Sequence, residues 1–226
     1  MSDVEGTVAT IARLAGGGPV LELGIGTGRI AVPLRAAGVA VHGVDASPAM
    51  VDQLRTKPAG ADIPVLLGDF SRELPMVDGG FAVVFAAFNT FVNLTSTEAM
   101  ASCLALAASR LRPGGAVVVE NLLPADDPVP SGVDVRSVDA DRVVLSAFRL
   151  DGRVVTGSLV SIAESGIRLC PWSVRLTGPD ELAALAAAAG FDEEARHGGW
   201  RDEPLDSASS RYVAVFRLRR STVVSQ

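Results

Sequence analysis

The chain is short of the residues that most acid–base and redox chemistry draws on. Its 226 residues include two cysteines (Cys103, Cys170), two histidines (His42, His197), one tyrosine (Tyr212) and one lysine (Lys57). Two isolated cysteines, with no C-x-x-C or Cys/His cluster, argue against a disulfide scaffold or structural zinc, and no metal is expected. No apolar run approaches the ~20 residues of a bilayer span; the one beside the last expected helix reaches only from Leu182 to Ala189. The opening residues hold Asp3 and Glu5 and no basic stretch, so neither a signal peptide nor a membrane partner is expected. Positive charge is scarce too. A net charge of −6 and a pI near 5.0 oppose a nucleic-acid partner, which favours a basic face. The cluster Arg217-Leu218-Arg219-Arg220 reads as a solvated strand end, and the lone lysine reads as codon composition. The expectation is a cytoplasmic protein.

What is present is a large apolar fraction, 48% of residues, with a mean hydropathy of +0.34. That excludes general disorder and suffices for one α/β domain with a full core. Val4 to Leu14 reads as a leading helix. Strands at Val20–Leu23, Val39–Val44, Ile63–Leu67, Phe81–Phe85 and Ala116–Asn121 alternate with helices at Thr27 to Ala37, Ser47 to Thr56 and Ser96 to Leu111. Such alternation implies βαβ units and a parallel sheet. After Pro124 the pattern changes. A linker over 126–132 precedes four β segments, Val133–Val138, Arg142–Leu150, Arg153–Ala163 and Ile167–Leu176, with Asp151-Gly152 as a hairpin signal. A helix at Pro179–Ala189 and strands Asp192–His197 and Tyr212–Leu218 close the chain. The expected fold is a Rossmann-like, seven-stranded, mostly parallel sheet with flanking helices and an inserted antiparallel β meander. Its expected parts are an α/β core over 1–125, the meander over 126–177 as a substrate wall or dimer interface, and the closing helix and strands of the core over 178–226.

The run Glu22-Leu23-Gly24-Ile25-Gly26-Thr27-Gly28-Arg29 ends a buried strand in a three-glycine turn. The glycines let backbone approach a ligand, and the following helix offers unpaired N–H groups. A dinucleotide fingerprint wants G-x-G-x-x-G, whereas here the third glycine position of that pattern is Arg29. Glu22 ends an apolar strand, where a carboxylate is costly unless it meets a polar partner. Asp45 ends the second strand, 21 residues after Gly24, and its two oxygens suit vicinal hydroxyls such as those of a ribose. Asp69 and Phe70 end the third strand, an acid for an exocyclic amine and a ring to pack on a base. Three such features on successive strand ends mark the crevice where open α/β sheets bind ligands.

These motifs, with Val44-Asp45-Ala46-Ser47, Gly68-Asp69-Phe70 and Leu111-Arg112-Pro113-Gly114-Gly115, make the chain resemble the class I S-adenosylmethionine (SAM) methyltransferases. Its segment order is similar to the small-molecule branch that includes amino-sugar N,N-dimethyltransferases. The resemblance implies SAM as cofactor, bound by the α/β core over 1–125, and S-adenosylhomocysteine (SAH) as product. It places the SAM methionine carboxylate near the glycine turn with Glu22 and Arg29 as neighbours, the ribose on Asp45, and the adenine at Asp69. The backbone around Ala87–Phe88 would form the cofactor's reacting edge, and Ala46 and Met50 complete the expected contacts. Methyltransferases of that branch often carry a longer N-terminal lid. This chain has about 19 residues before its first strand, so a lid that is incomplete, rearranged or supplied by another subunit is expected, with a homodimer one way to supply it.

Methyl transfer from a sulfonium is an in-line displacement that needs alignment, plus a proton acceptor where the nucleophile requires one. His42 lies within the second strand and reads as packed structure. His197, at the end of strand Asp192–His197, and Asn93, near the place where sugar N-methyltransferases carry a histidine or tyrosine, are the candidates on the substrate side. No N-P-P-Y or D-P-P-Y follows the fourth strand, so base-modifying chemistry on nucleic acid is not indicated. The expected function is methyl transfer to a nitrogen or oxygen of a small molecule. A SAM-binding protein without turnover and an NAD-dependent oxidoreductase remain the rivals.

Overall fold

The computed structural model describes residues 3–125 and 129–220. In chain order the elements are α1 (Val4–Ala15), β1 (Val20–Leu23), α2 (Ala31–Ala36), β2 (Val41–Asp45), α3 (Pro48–Arg55), β3 (Val65–Leu67) and β4 (Phe81–Ala86). A 3-10 turn (Thr90–Asn93) leads to α4 (Thr97–Arg110) and β5 (Leu111–Leu122). Then come β6 (Ser131–Val138), β7 (Arg142–Asp151), β8 (Val154–Ala163), β9 (Gly166–Arg175), α5 (Pro179–Ala188), β10 (Phe191–His197) and β11 (Arg211–Leu218). Seven strands form one sheet in the order β10-β11-β5-β4-β1-β2-β3, parallel except for β11, which runs against both neighbours. The other four form the expected meander, β6-β7-β8-β9.

The sheet is buried on both faces, so its central strands read as apolar runs. On one face Leu21, Val84, Val117 and Ala214 meet α4 and α5; on the other, Val20, Phe85, Val118 and Val213 meet α1, α2 and α3. Helix α4 turns Met100, Cys103, Leu104 and Ala107 inward, a spacing of 3, 4 and 7 that lines up one helical stripe. Its start is fixed by Ser96, whose Oγ accepts from the Ala99 N–H at 3.1 Å. Ser47 does the same for α3, with Pro48 in the first turn.

The structure corrects several boundaries. The helix expected from Thr27 starts at Ala31, because Gly28 sits at φ +78° and its N–H bonds Ile25 O at 2.9 Å, prolonging the turn. Strand β5 begins at Leu111 instead of Ala116, as Leu111 pairs with Phe81 before the register slips to Val83 and Ala116. Strands β2 and β3 each start two residues later than expected. Of the expected linker, Asp126 to Pro128 lie outside the described residues, while Ser131 and Gly132 already belong to β6. The Asp151-Gly152 hairpin is present, with Asp151 paired to Val154 and Gly152 at φ +58°.

The meander has two dissimilar faces. Its outer face leaves Val133, Val135, Ile167 and Leu169 exposed. Among the described residues no helix is long and apolar enough to cross a membrane. Arg217 and Arg219 of the basic cluster pair with Glu194 and Asp192 on β10.

Candidate active site

The glycine turn is strapped to the end of β2. Gly24 and Ile25 both donate to Val44 O, at 2.8 and 3.1 Å. Asp45 reaches back: its Oδ2 accepts from the Gly26 N–H at 2.7 Å and its Oδ1 from the Ser47 N–H at 2.8 Å. Each oxygen keeps acceptor capacity for a further donor. Lys57 closes the other side of the turn, its Nζ donating to Thr27 O at 2.6 Å. A side chain at Gly24 would run into Thr90, and Gly24 also sits at φ +64°. That position therefore demands glycine on two counts.

Glu22 stands behind the turn and is 5% exposed. One of its carboxylate oxygens, Oε2, has no partner among the described residues. Burial pushes its pKa well above the usual carboxylate value, the Ala31 N–H partly offsets this, and nearby Asp45 adds to it. A buried, half-satisfied acid is costly unless a donor arrives. Its open oxygen fits a cationic group bound at the turn.

Opposite the turn lies the segment after β4. Phe88 (φ 51°) and Asn89 (φ 61°) are consecutive non-glycine residues in the left-handed region, a costly conformation held only by its surroundings. Two contacts hold it. The Arg29 guanidinium lies 4.8 Å from the Phe88 ring centroid, and the Phe88 N–H donates to Glu120 Oε2 at 2.6 Å. Glu120, 1% exposed, also accepts from Trp200 Nε1 at 3.0 Å and from Arg211 Nη1 at 3.0 Å. Trp200 O in turn accepts from Thr10 Oγ1 at 2.7 Å, so one carboxylate ties the β4 turn to the C-terminal loop and, through it, to α1.

The remaining cofactor candidates lie around this crevice. Ala46 and Met50 are exposed beside Asp45. Gly68 donates to Asp45 O at 2.9 Å, which sets Asp69 at the end of β3. Asp69 is exposed, and the Ser71 N–H and hydroxyl hold its carboxyl below the usual range. Phe70 packs in part against the α4-side core. Glu22, Gly24, Gly26, Gly28, Arg29, Asp45, Ala46, Met50, Ala87 and Phe88 thus sit at adjoining strand ends, with Asp69 and Phe70 flanking them.

Of the two substrate-side candidates, His197 stands apart from the β4 side of the crevice, and Asn93 lies in the 3-10 turn that follows β4. His197 is at the carboxyl end of β10, level with Val213. Three strand spacings, about 14 Å, separate β10 from β4. The ring sits beneath α1 near Thr10 and Arg13, with Nε2 3.5 Å from Asp202 Oδ1. Asn93 is exposed and its Nδ2 donates to Thr90 O at 2.9 Å, capping its own turn. His42 packs edge-on to Phe81, 5.4 Å between centroids.

Sequence reasoning missed Glu120 and Lys57. The signal for Glu120 was available: like Glu22, it is an acid that ends an apolar strand. Lys57 carried no local pattern, and its role comes from the path of the chain after α3.

Residues 20–115 match the family described as methyltransferase domain. The cypemycin N-terminal methyltransferase of Streptomyces sp is 30% identical over 224 residues, 96% of this chain and 90% of that protein. The chain belongs to the class I SAM-dependent methyltransferases. The solved CcbJ methyltransferase of Streptomyces caelestis overlays on this methyltransferase with a TM-score of 0.90 at 34% identity, covering 97% of this chain and 90% of that one. SAM-bound CalS10, an amino pentose methyltransferase of Micromonospora echinaspora, overlays with a TM-score of 0.72 at 22% identity over 95% of this chain and 91% of that one, a likeness of fold. SAM is accordingly the cofactor of this methyltransferase.

Proposed function

We propose that the methyltransferase alkylates the nitrogen of a small-molecule amine, with the crevice residues above holding SAM. In this reading Glu22 Oε2 receives the SAM ammonium, Gly24 to Gly28 admit its methionine end, and Arg29 faces the carboxylate. Asp45 uses its spare acceptor capacity on the ribose, Asp69 and Phe70 flank the adenine, and Ala87 to Asn89 line the reacting edge. Once bound, SAM supplies a methyl group already activated for displacement.

The observation that carries the choice of nitrogen is the commitment of Glu120. It holds the Phe88 N–H at the reacting edge, and its two oxygens already serve three donors. The Tyr212 phenol is bonded to Thr177 O and Asn121, and burial pushes it up to about 12. The Cys103 thiol, buried under α4, is likewise pushed up to about 12. An amine sheds its proton to water and then attacks, whereas a hydroxyl gains more from a protein base. The relative that acts on an N terminus by its name agrees with this choice. Cys103 and Cys170 are both free thiols, in keeping with a reducing, cytoplasmic compartment.

The test is incubation with SAM and matched sets of primary amines and phenols, reading SAH release and the mass of the methylated product. Turnover on amines with a pH dependence that follows the free-amine fraction supports the reading. Turnover confined to phenols or alcohols overturns it.

A further inference from the structure

The inner face of the meander lines an open cavity of about 690 Å³, the size of a drug-like ligand site. Leu122, Phe148, Val155, Leu159, Trp172 and Val174 are among its walls. Register explains why they converge: Ser146 pairs with Leu159, Phe148 with Gly157, Gly157 with Trp172 and Val155 with Val174, so these side chains share one face. Two glycines make room for the rings. A Cβ at Gly132 would meet Phe148, and one at Gly157 would meet Trp172.

The cavity adjoins the reacting edge. On β5, Glu120 holds the Phe88 N–H, and Leu122 stands two residues further along the same face, about 7 Å on. Strand β9, which carries Trp172 and Val174, packs against the 3-10 turn that follows Asn89. Within this apolar lining Ser146 is fully buried, and its Oγ has no partner among the described residues. Asp134 and Arg136 are exposed at the mouth.

Building on the nitrogen acceptor proposed above, we infer that this cavity seats the acceptor's body. The body is an aliphatic or aromatic group next to the amine, and one carbonyl oxygen of it accepts from Ser146 Oγ. A buried hydroxyl without a partner favours a ligand that completes it. Walls of Leu, Val, Phe and Trp favour apolar surface. A free amino sugar fits poorly, because inward of Asp134 and Arg136 its hydroxyls would lose water and find Ser146 as the one polar side chain among the lining residues.

Kinetics with alaninamide, leucinamide, phenylalaninamide and glucosamine, together with calorimetric binding of the same compounds in the presence of SAH, test the inference. KM and Kd are expected to fall at least tenfold from alaninamide to phenylalaninamide, with glucosamine weaker than any amide. Ser146→Ala removes an unbonded buried hydroxyl, so the variant is expected to fold. It should raise KM about fivefold or more for phenylalaninamide and leave phenethylamine, which lacks the carbonyl, unchanged. A flat series, a preference for glucosamine, or equal effects of Ser146→Ala on both amines overturns the inference. If no amine is methylated, the nitrogen reading fails by itself, and the binding series with SAH still decides whether the cavity takes apolar bodies.

Discussion

Arg29 and Phe88, 59 residues apart in sequence, meet across the crevice with the guanidinium 4.8 Å from the ring centroid. The contact links the glycine turn to the β4 turn, and it involves a residue whose backbone is in the left-handed region. Two substitutions separate ring from backbone. Phe88→Ala loses the ring and keeps the strained φ; Phe88→Gly loses the ring and relieves about 1 kcal/mol or more of that cost. Thermal unfolding should therefore rank Phe88→Gly above Phe88→Ala, while both raise KM for SAM by about the 2- to 5-fold that an exposed cation–π contact is worth.

Glu120 is the hub that the β4 turn, the C-terminal loop and Arg211 share. Glu120→Gln keeps shape but removes the charge opposite Arg211 and replaces one acceptor with a donor. With three donors converging on a carboxylate of 1% exposure, the expected cost is about 2–4 kcal/mol. For a chain of this length that corresponds to a Tm fall of roughly 5–15 °C. Trp200 reports the same event: its emission should shift as Nε1 loses its carboxylate partner. A variant with unchanged emission and Tm would contradict the hub.

Most of the fold was legible because its signals are local. Apolar runs bounded by Gly and Pro gave the parallel strands, Ser47 and Ser96 marked helix starts, and Asp151-Gly152 marked a hairpin. The glycine spacing with Asp45 and Asp69 also pointed to SAM as cofactor, and each motif does end a parallel strand. What could not be read is what depends on distant partners. Nothing near Trp200 in sequence says that its indole reaches Glu120, 80 residues earlier. His197 looked well placed because its strand does end on the cofactor side, yet β11 and β5 stand between it and β4. The helix expected at Thr27 failed for a local reason, the left-handed glycines of the turn itself.

Lys57, read from sequence as a compositional accident, supports the glycine turn through Thr27 O. Lys57→Met retains the stem and deletes the donor. A hydrogen bond from a charged group is worth about 1.5–3 kcal/mol, and its loss loosens the turn before any chemistry begins. KM for SAM should rise about tenfold while kcat at saturating SAM stays within a factor of about two. A fall in kcat with unchanged KM would instead place Lys57 in the transfer step.

Glu22 makes stability depend on pH in a direction opposite to that of an ion-paired acid. Burial raises its folded pKa well above the unfolded value of 4.5, so between the two values the folded chain holds a proton that the unfolded chain has lost. The folded state then binds more protons, and stability contributed by this group falls as pH rises from about 4.5 through the folded pKa. Glu22→Gln is neutral at every pH and escapes that loss. Without SAM, the variant should melt above wild type at pH 8, and the gap should close toward pH 5. With SAM the ranking reverses, because the ammonium that would pair with Glu22 finds only an amide; its Kd should weaken about 10- to 100-fold. Differential scanning fluorimetry across pH, with and without SAM, measures both halves. If the Glu22→Gln gap were independent of pH, the buried carboxyl would not be the titrating group.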